Sequence, residues 1–356
     1  MDLNANQTYG LVCAHHHLYS SLARGMPSPD STPTNFKDIL KKIWWKLDKA
    51  LDLEIIEWSA KLGALEALES GTTCIIDHHE SPNAIEGSLT VIHDACASLG
   101  VRVNTCYGIS DRNSDEFTAQ MPMTDQAKLG LEENRRFLKE GGSGMVGIHA
   151  AFTCSDEALE AAAGLATDLG VGVHVHVAEG DLDTDSWARL QNHTKDEWLL
   201  VHGVLLPDNH GLQGTIIHNP RSNMNNGVGY AAPTRFKNRV GLGTDGIGAN
   251  MLEEFRIGYA RLREFQVQES PETIWDMLSV NTSLFPQCQD DQITWSYDEM
   301  DPWHLAFTSG VRPLDIEIDG KPIMKDGTFL EIDSVEIRAK AGEAAEKLFK
   351  KIKEIS

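Results

Sequence analysis

Two histidines, His15 and His17, sit two positions apart where the apolar run Tyr9–Ala14 ends. In a strand the period of two sends both imidazoles to one face and turns His16 to the other. Alone, this spacing is no more specific for a metal than for a packed or surface pair. Other runs change that weighting. His176 ends Val171–Val177, and Asp245 follows Val240–Thr244. Three imidazoles and a carboxylate make a donor set for one divalent cation with a position open for water. Glu179, three residues beyond His176, can reach the same pocket without joining that set. A carboxylate there can exchange protons with both water and substrate; its bland alternative is a solvated loop glutamate. His202, after Glu197–Val201, could orient or deprotonate the water.

Other histidines carry weaker expectations. His149 follows Met145–Ile148, and His174 lies one pleat below His176, where an interior hydrogen-bonding role is expected. His78, His79 and His218 also occupy strand ends and are expected to line the pocket, without assigned roles. His93, His193, His210 and His304 fall on expected helices or loops.

Residues so far apart in sequence meet only if the fold brings strand ends together. Eight short apolar runs, completed by Thr72–Ile76, Val101–Tyr107 and Gly214–Ile217, alternate with segments of helical period. Those segments are Ile55–Leu68, Leu89–Leu99, Gln126–Leu138, Ser155–Leu169 and Leu252–Gln266. This alternation predicts βα units and an α/β (β/α)8 TIM barrel, whose C-terminal strand ends share one mouth. Ser155 followed by Asp156 and Glu157 predicts a capped helix start. The stretch Leu18–Trp45, with Gly25, Pro27, Pro29, Pro33 and the pair Trp44-Trp45, is long for a connection and is expected to form a lid that shapes the pocket; the alternative is that the two tryptophans only pack against the outside of the barrel. Beyond residue 285, Ile293–Tyr297, Asp315–Asp319 and Lys321–Met324 read as short strands with hairpin turns. An amphipathic helix over Ser334–Ile352 ends the chain. The predicted division is therefore a metal-dependent barrel over 1–285, then a β appendage and helix over 286–356.

The 356 residues exceed the roughly 250 of such a barrel. Lys plus Arg total 31 against 53 Asp plus Glu, a formal charge of -22, which leaves no basic stripe for nucleic acid. The six cysteines have no CxxC spacing and read as reduced packing residues. No apolar run is long enough for a membrane span, and the N-terminus lacks signal-peptide features, so a cytoplasmic location is expected.

The segments AHHHL, HVHVAE, VHG, HNPRSN and GLGTDG, in this order, resemble the amidohydrolase superfamily. The similarity is to its cytosine/guanine deaminase and triazine-hydrolase (chlorohydrolase/aminohydrolase) branch, which includes aminohydrolases of unassigned substrate. The resemblance covers the chain from Leu11 onward. It implies that His15, His17, His176 and Asp245 hold one Zn²⁺ or Fe²⁺, that Glu179 is the proton shuttle, and that His202 and Asp245 assist the water. HAAFTCSDE resembles the family's strand-four motif, which implies that His149 faces substrate. Two departures stand out. Tyr9-Gly10 replaces the usual Pro-Gly, and about ten residues precede the first strand, so half of a small β-sandwich is expected to be missing and its edges unpaired.

The expected activity is hydrolytic deamination of a small amino-substituted N-heterocycle, purine, pyrimidine or triazine-like. Hydrolytic dechlorination of a triazine-like ring is the alternative within the same site. A binuclear amidase is disfavoured because strand four ends in His149, with no lysine. A catalytically silent, truncated metal-binding barrel is the alternative of another class, and a homodimer is a possible assembly.

Overall fold

The computed structural model describes residues 3–114 and 116–355. Fourteen strands are assigned among them. A two-residue strand β1 (Gln7–Thr8) is followed by β2 (Leu11–His17), β3 (Thr72–His79), β4 (Arg102–Ile109), β5 (Val146–Ala150), β6 (Val173–Val177), β7 (Leu199–His202) and β8 (Thr215–His218). Next come β9 (Val240–Leu242), β10 (Asp245–Gly246), β11 (Gln292–Trp295), β12 (Pro313–Ile318), β13 (Lys321–Lys325) and β14 (Thr328–Phe329).

Nine of these form one parallel sheet in the order β10-β2-β3-β4-β5-β6-β7-β8-β9. Its two end strands are consecutive in the chain, separated only by Gly243 and Thr244. Gly243 N–H donates to the His218 carbonyl at 2.9 Å, and Thr244 N–H donates to the His15 carbonyl at 3.1 Å. One broken eighth stave therefore bonds β8 with its first half and β2 with its second, and the sheet closes into the barrel expected from the βα alternation. Only glycine fits at the crossing: a Cβ on Gly243 would lie 2.5 Å from Asn219 Oδ1 and 2.9 Å from His15 Cβ.

The expected helices form where apolar periodicity placed them: Leu53–Glu69, Ser88–Ala97, Asp125–Lys139, Asp156–Leu169 and Met251–Phe265. Ser155 caps the fourth of these, its hydroxyl accepting from Ala158 N–H at 3.2 Å. Inside the barrel, Val12, Ala14, Cys74, Ile76, Leu199, Val201 and Ile217 pack together over Phe285 and Cys288. All six cysteines are buried and unbridged. Val12 and Ala14 face this interior, and so do His15 and His17, so β2 changes parity. A register irregularity between Cys13 and His16 carries that change. Such a bulge re-aims side chains beside a site.

The appendage is a five-stranded antiparallel sheet, β1-β11-β12-β13-β14. The edge expected to be unpaired on β11 is covered: Gln7 pairs with Thr294 and Thr8 with Ile293. The terminal helix, Ser334–Glu354, packs along the helix Leu53–Glu69. No helix is long and apolar enough to cross a membrane among the described residues.

Asp291 clips the appendage to the barrel. Its buried carboxylate accepts from Arg102 Nη1 at 2.7 Å and from Thr73 Oγ1 at 2.6 Å. Asp291→Ala strands both donors, and the expected loss is about 2–4 kcal/mol, read as a lower midpoint in urea denaturation. An unshifted midpoint would show that the clip contributes nothing.

Candidate metal centre

His15, His17, His176 and Asp245 each offer one donor atom, and these four atoms lie within 4.8 Å of one another. Asp245 Oδ1 is 3.3 Å from His15 Nε2 and 3.0 Å from His17 Nε2. His176 Nε2 is 3.3 Å from His17 Nε2. The residues come from β2, β6 and β10, as the strand-end reasoning required.

Hydrogen bonds behind the rings fix what those nitrogens present. His17 Nδ1 donates to the His78 carbonyl and His176 Nδ1 to the His149 carbonyl, each at 2.6 Å. A carbonyl can only accept, so both Nδ1 atoms are protonated and, in the neutral rings, both Nε2 atoms turn lone pairs toward each other. Two facing lone pairs beside a carboxylate are satisfied by a proton on one of them or by a metal cation between them. His15 Nδ1 lies 2.8 Å from His174 Nε2, which places His174 as the interior hydrogen-bonding partner expected of it. Burial holds His15 and His176 well below the ordinary histidine range. Burial also opposes charge on His17, but its hydrogen bond to Asp245 and that carboxylate's field raise the ring to about 9. The donor set thus draws positive charge strongly, and three imidazoles with a carboxylate are the donor types that hold a divalent cation, with water as a further ligand.

Glu179 and His202 stand beside this set, with Glu179 Oε2 3.5 Å from His202 Nε2. Burial pushes Glu179 up to about 7, against the opposing pull of His202, so the carboxyl can hold or release a proton near neutrality. His202 Nδ1 bonds Asn223 Oδ1 at 2.9 Å, which turns its Nε2 toward Glu179. Strained backbone aims these groups: Ala178, His202, Asp245 and Ile247 have φ of 48°, 73°, 61° and 62°, a region disfavoured for residues with a Cβ.

The cavity above them has a volume of about 260 Å³, compact beside the roughly 300–1,000 Å³ of drug-sized ligand sites. Its floor includes His17, His176, Glu179, His202 and Asp245, and His149 forms part of one wall. Phe36, Leu40, Trp44 and Trp45 roof it, so Leu18–Trp45 does shape the pocket and both tryptophans face it. His78, His79 and His218 do not line it. All three are buried under the mouth, with His78 Nε2 bonded to the Ile148 carbonyl at 3.1 Å and His79 Nε2 to Ser81 Oγ at 2.8 Å.

Several contributors escaped the sequence reading. Ser222 Oγ donates to Asp245 Oδ2, and Arg221 bonds the carbonyls of Thr244 and Gly246 at 3.1 and 3.3 Å. Both belong to HNPRSN, a motif legible in sequence only as a marker of resemblance. Asp48, Glu80 and Arg112 form a buried ionic group beside the cavity, and no spacing rule links them.

A family model described as the amidohydrolase family matches residues 8–286. The chain belongs to the amidohydrolase family. This amidohydrolase is 27% identical over 389 residues to a 5′-deoxyadenosine deaminase of Methanopyrus kandleri, covering 95% of this chain and 86% of the relative. It is 25% identical over 390 residues to a 5-methylthioadenosine/S-adenosylhomocysteine deaminase of Shouchella clausii, with the same coverage. Among solved structures, it shares its fold with a zinc-bound adenosine deaminase from Xanthomonas campestris, at TM-score 0.77, 18% identity and coverage of 97% and 86%. An atrazine chlorohydrolase from Arthrobacter aurescens, complexed with zinc, aligns at TM-score 0.78, 19% identity and coverage of 95% and 88%.

Because Ser222 is the donor that holds the outer oxygen of Asp245, Ser222→Ala is expected to weaken zinc affinity about 10- to 100-fold. Competition with a chromogenic chelator measures this directly. Unchanged affinity would mean that Asp245 keeps its orientation without the hydroxyl.

Proposed function

We propose that this amidohydrolase is a metal-dependent aminohydrolase that replaces the exocyclic amino group of a small N-heterocycle, of the aminopurine type, with oxygen from water. His15, His17, His176 and Asp245 hold one divalent cation, Zn²⁺; Glu179 is the proton shuttle; His202 assists the water; and His149 contacts substrate. The observation that carries the reading is the convergence of four donors, three of them on the cavity floor, beside a carboxyl that can hold a proton at neutral pH. The names of the two deaminase relatives support the adenosine-like ring.

A cation held by His15, His17, His176 and Asp245 would lower the pKa of a water bound to it, supplying the nucleophile. The remaining work falls to side chains. His202, with Nδ1 committed to Asn223, offers Nε2 as a base toward the water. Asp245 has one oxygen tied by Ser222 and the other turned to the histidines, where the carboxylate can accept a hydrogen bond from the water and help His202 take up its proton. Glu179 delivers one proton to the ring nitrogen next to the reacting carbon, and a proton to the departing nitrogen completes ammonia. In balance, water and the amino-heterocycle give the oxo-heterocycle and NH₃. The aromatic roof of Phe36, Trp44 and Trp45 stacks on a flat ring and excludes bulk water.

Glu179→Gln removes the proton carrier at constant shape. Metal content is expected to remain stoichiometric while ammonia release from aminopurines falls by about 10²-fold or more. Turnover at the wild-type rate would overturn the shuttle role, and halide release from a chlorotriazine without ammonia release from aminoheterocycles would overturn deamination.

A further inference from the structure

Beside His149 in the cavity wall, Arg112 clamps two carboxylates: Nη1 bonds Glu80 Oε2 and Nη2 bonds Asp48 Oδ2. All three side chains are at most 4% exposed. Each carboxylate keeps one oxygen, Glu80 Oε1 and Asp48 Oδ1, buried without a hydrogen-bond partner, and both residues line the cavity. Glu80 Oε1 lies 3.6 Å from His149 Nε2. The other nitrogen of that ring, Nδ1, bonds Thr153 Oγ1 at 2.6 Å, and the Thr153 hydroxyl proton goes to the Ala150 carbonyl at 3.0 Å. His149 Nδ1 is therefore the donor, and its Nε2 is an acceptor facing another acceptor. Burial pushes Asp48 up to about 8, and the Tyr19 hydroxyl stands beside it, so its carboxyl can give or take a hydrogen bond; Glu80 Oε1 and His149 Nε2 are acceptors that want donors, and leaving such groups unpaired is what makes a polar site discriminate.

The charge balance has the same direction. Arg221 is the only Lys or Arg among the described lining residues, and it is engaged by Glu254 and two carbonyls. Arg112 has both terminal nitrogens committed to the two carboxylates, its Nε buried without a hydrogen-bond partner, and its guanidinium 5.3 Å from the Trp45 ring. An anionic group entering at this end would meet the Asp48–Glu80 pair, with no uncommitted Lys or Arg among the described lining residues.

We propose that the Arg112-clamped pair Asp48 and Glu80, with His149, is a specificity device that selects heterocycles bearing a hydroxyl or ammonium substituent and rejects those bearing a carboxylate or phosphate. This rests on the aminohydrolase reading of the cavity. Asp48 and Trp45 both lie on the helix Trp45–Ala50 that continues the roof, so the device also ties substrate choice to the placement of the lid.

The test uses the zinc-loaded full chain and four adenines of matched size carrying at N9 an ethyl, 2-hydroxyethyl, 2-aminoethyl or carboxymethyl group. Ammonia release gives kcat/KM, and ligand-induced shifts in Tm report binding independently. The hydroxyethyl and aminoethyl compounds are expected to exceed the ethyl compound about tenfold or more in kcat/KM, and the carboxymethyl compound about 10²-fold. In Glu80→Gln and Asp48→Asn, each first checked for cooperative unfolding, the gap between aminoethyl and carboxymethyl is expected to narrow at least tenfold. Should Asp48→Asn fail to fold, Glu80→Gln and the wild-type ranking decide. Ammonia release with equal values for all four compounds would overturn the device and leave deamination standing. A ranked series of Tm shifts without ammonia would overturn deamination and leave the device standing. Neither shift nor turnover with any compound would overturn both.

Discussion

Everything near the mouth of this barrel answers to one constraint: several imidazole nitrogens and a carboxylate oxygen are crowded together away from water. Burial holds His15, His78, His149 and His176 well below the ordinary histidine range. Neutral rings must present either a lone pair or an N–H at each nitrogen, and a misplaced one leaves an unpaired polar atom in a low-dielectric interior. The carbonyls of His78 and His149 settle that choice for His17 and His176 by accepting their Nδ1 protons. Backbone carbonyls of β3 and β5 therefore decide what β2 and β6 can bind, and the parallel register of the barrel is itself part of the centre.

The same crowding explains the irregular backbone. A regular β2 would alternate its side chains strictly, and the shift between Cys13 and His16 lets both the packed interior and the histidines face inward. A continuous eighth strand would carry Asp245 past the histidines; the break at Gly243 and Thr244 instead moves β10 onto β2, where Asp245 pairs in register with His16. The left-handed φ values at Ala178, His202 and Asp245 each store about 1–3 kcal/mol, offset by surrounding bonds such as Asp183 to Ala178 N–H and Ser222 to Asp245. Rigid placement of the reacting groups is the return on that strain.

The cavity divides into two ends with different physics. At the floor, Glu179 faces His202, and burial pushes the Glu179 carboxyl up to about 7, so it can hold or release a proton near neutrality. At the wall, Asp48 and Glu80 are locked by Arg112 and keep their remaining oxygens for a ligand. His149 touches both ends: its carbonyl orients His176, and its Nε2 faces Glu80. A substitution there would mix effects on the proposed metal centre and on ligand choice, whereas Glu80 and Glu179 allow them to be separated.

The barrel and the strand-end position of His15, His17, His176, His202 and Asp245 were legible in the sequence because burial imposes periods of 2 and 3.6 on apolar residues, and strand ends are where those periods stop. Ser155 was legible because a helix cap is a local bond. The single five-stranded appendage was read less well: pairing of Gln7–Thr8 with β11 depends on partners 285 or more residues away, and two residues carry no period. The expectation that His78, His79 and His218 line the cavity failed for a related reason, since position at a strand end does not say which side of the mouth wall a ring takes. What residue order determined by itself was the set of local periods and the chemical types set at their ends. What tertiary structure alone decided was which nitrogen of each ring faces the cavity, where β2 changes parity, and that Arg112 would join Asp48 to Glu80. Those outcomes depend on contacts between distant strands and loops, and no local pattern encodes a contact whose two sides lie in different elements.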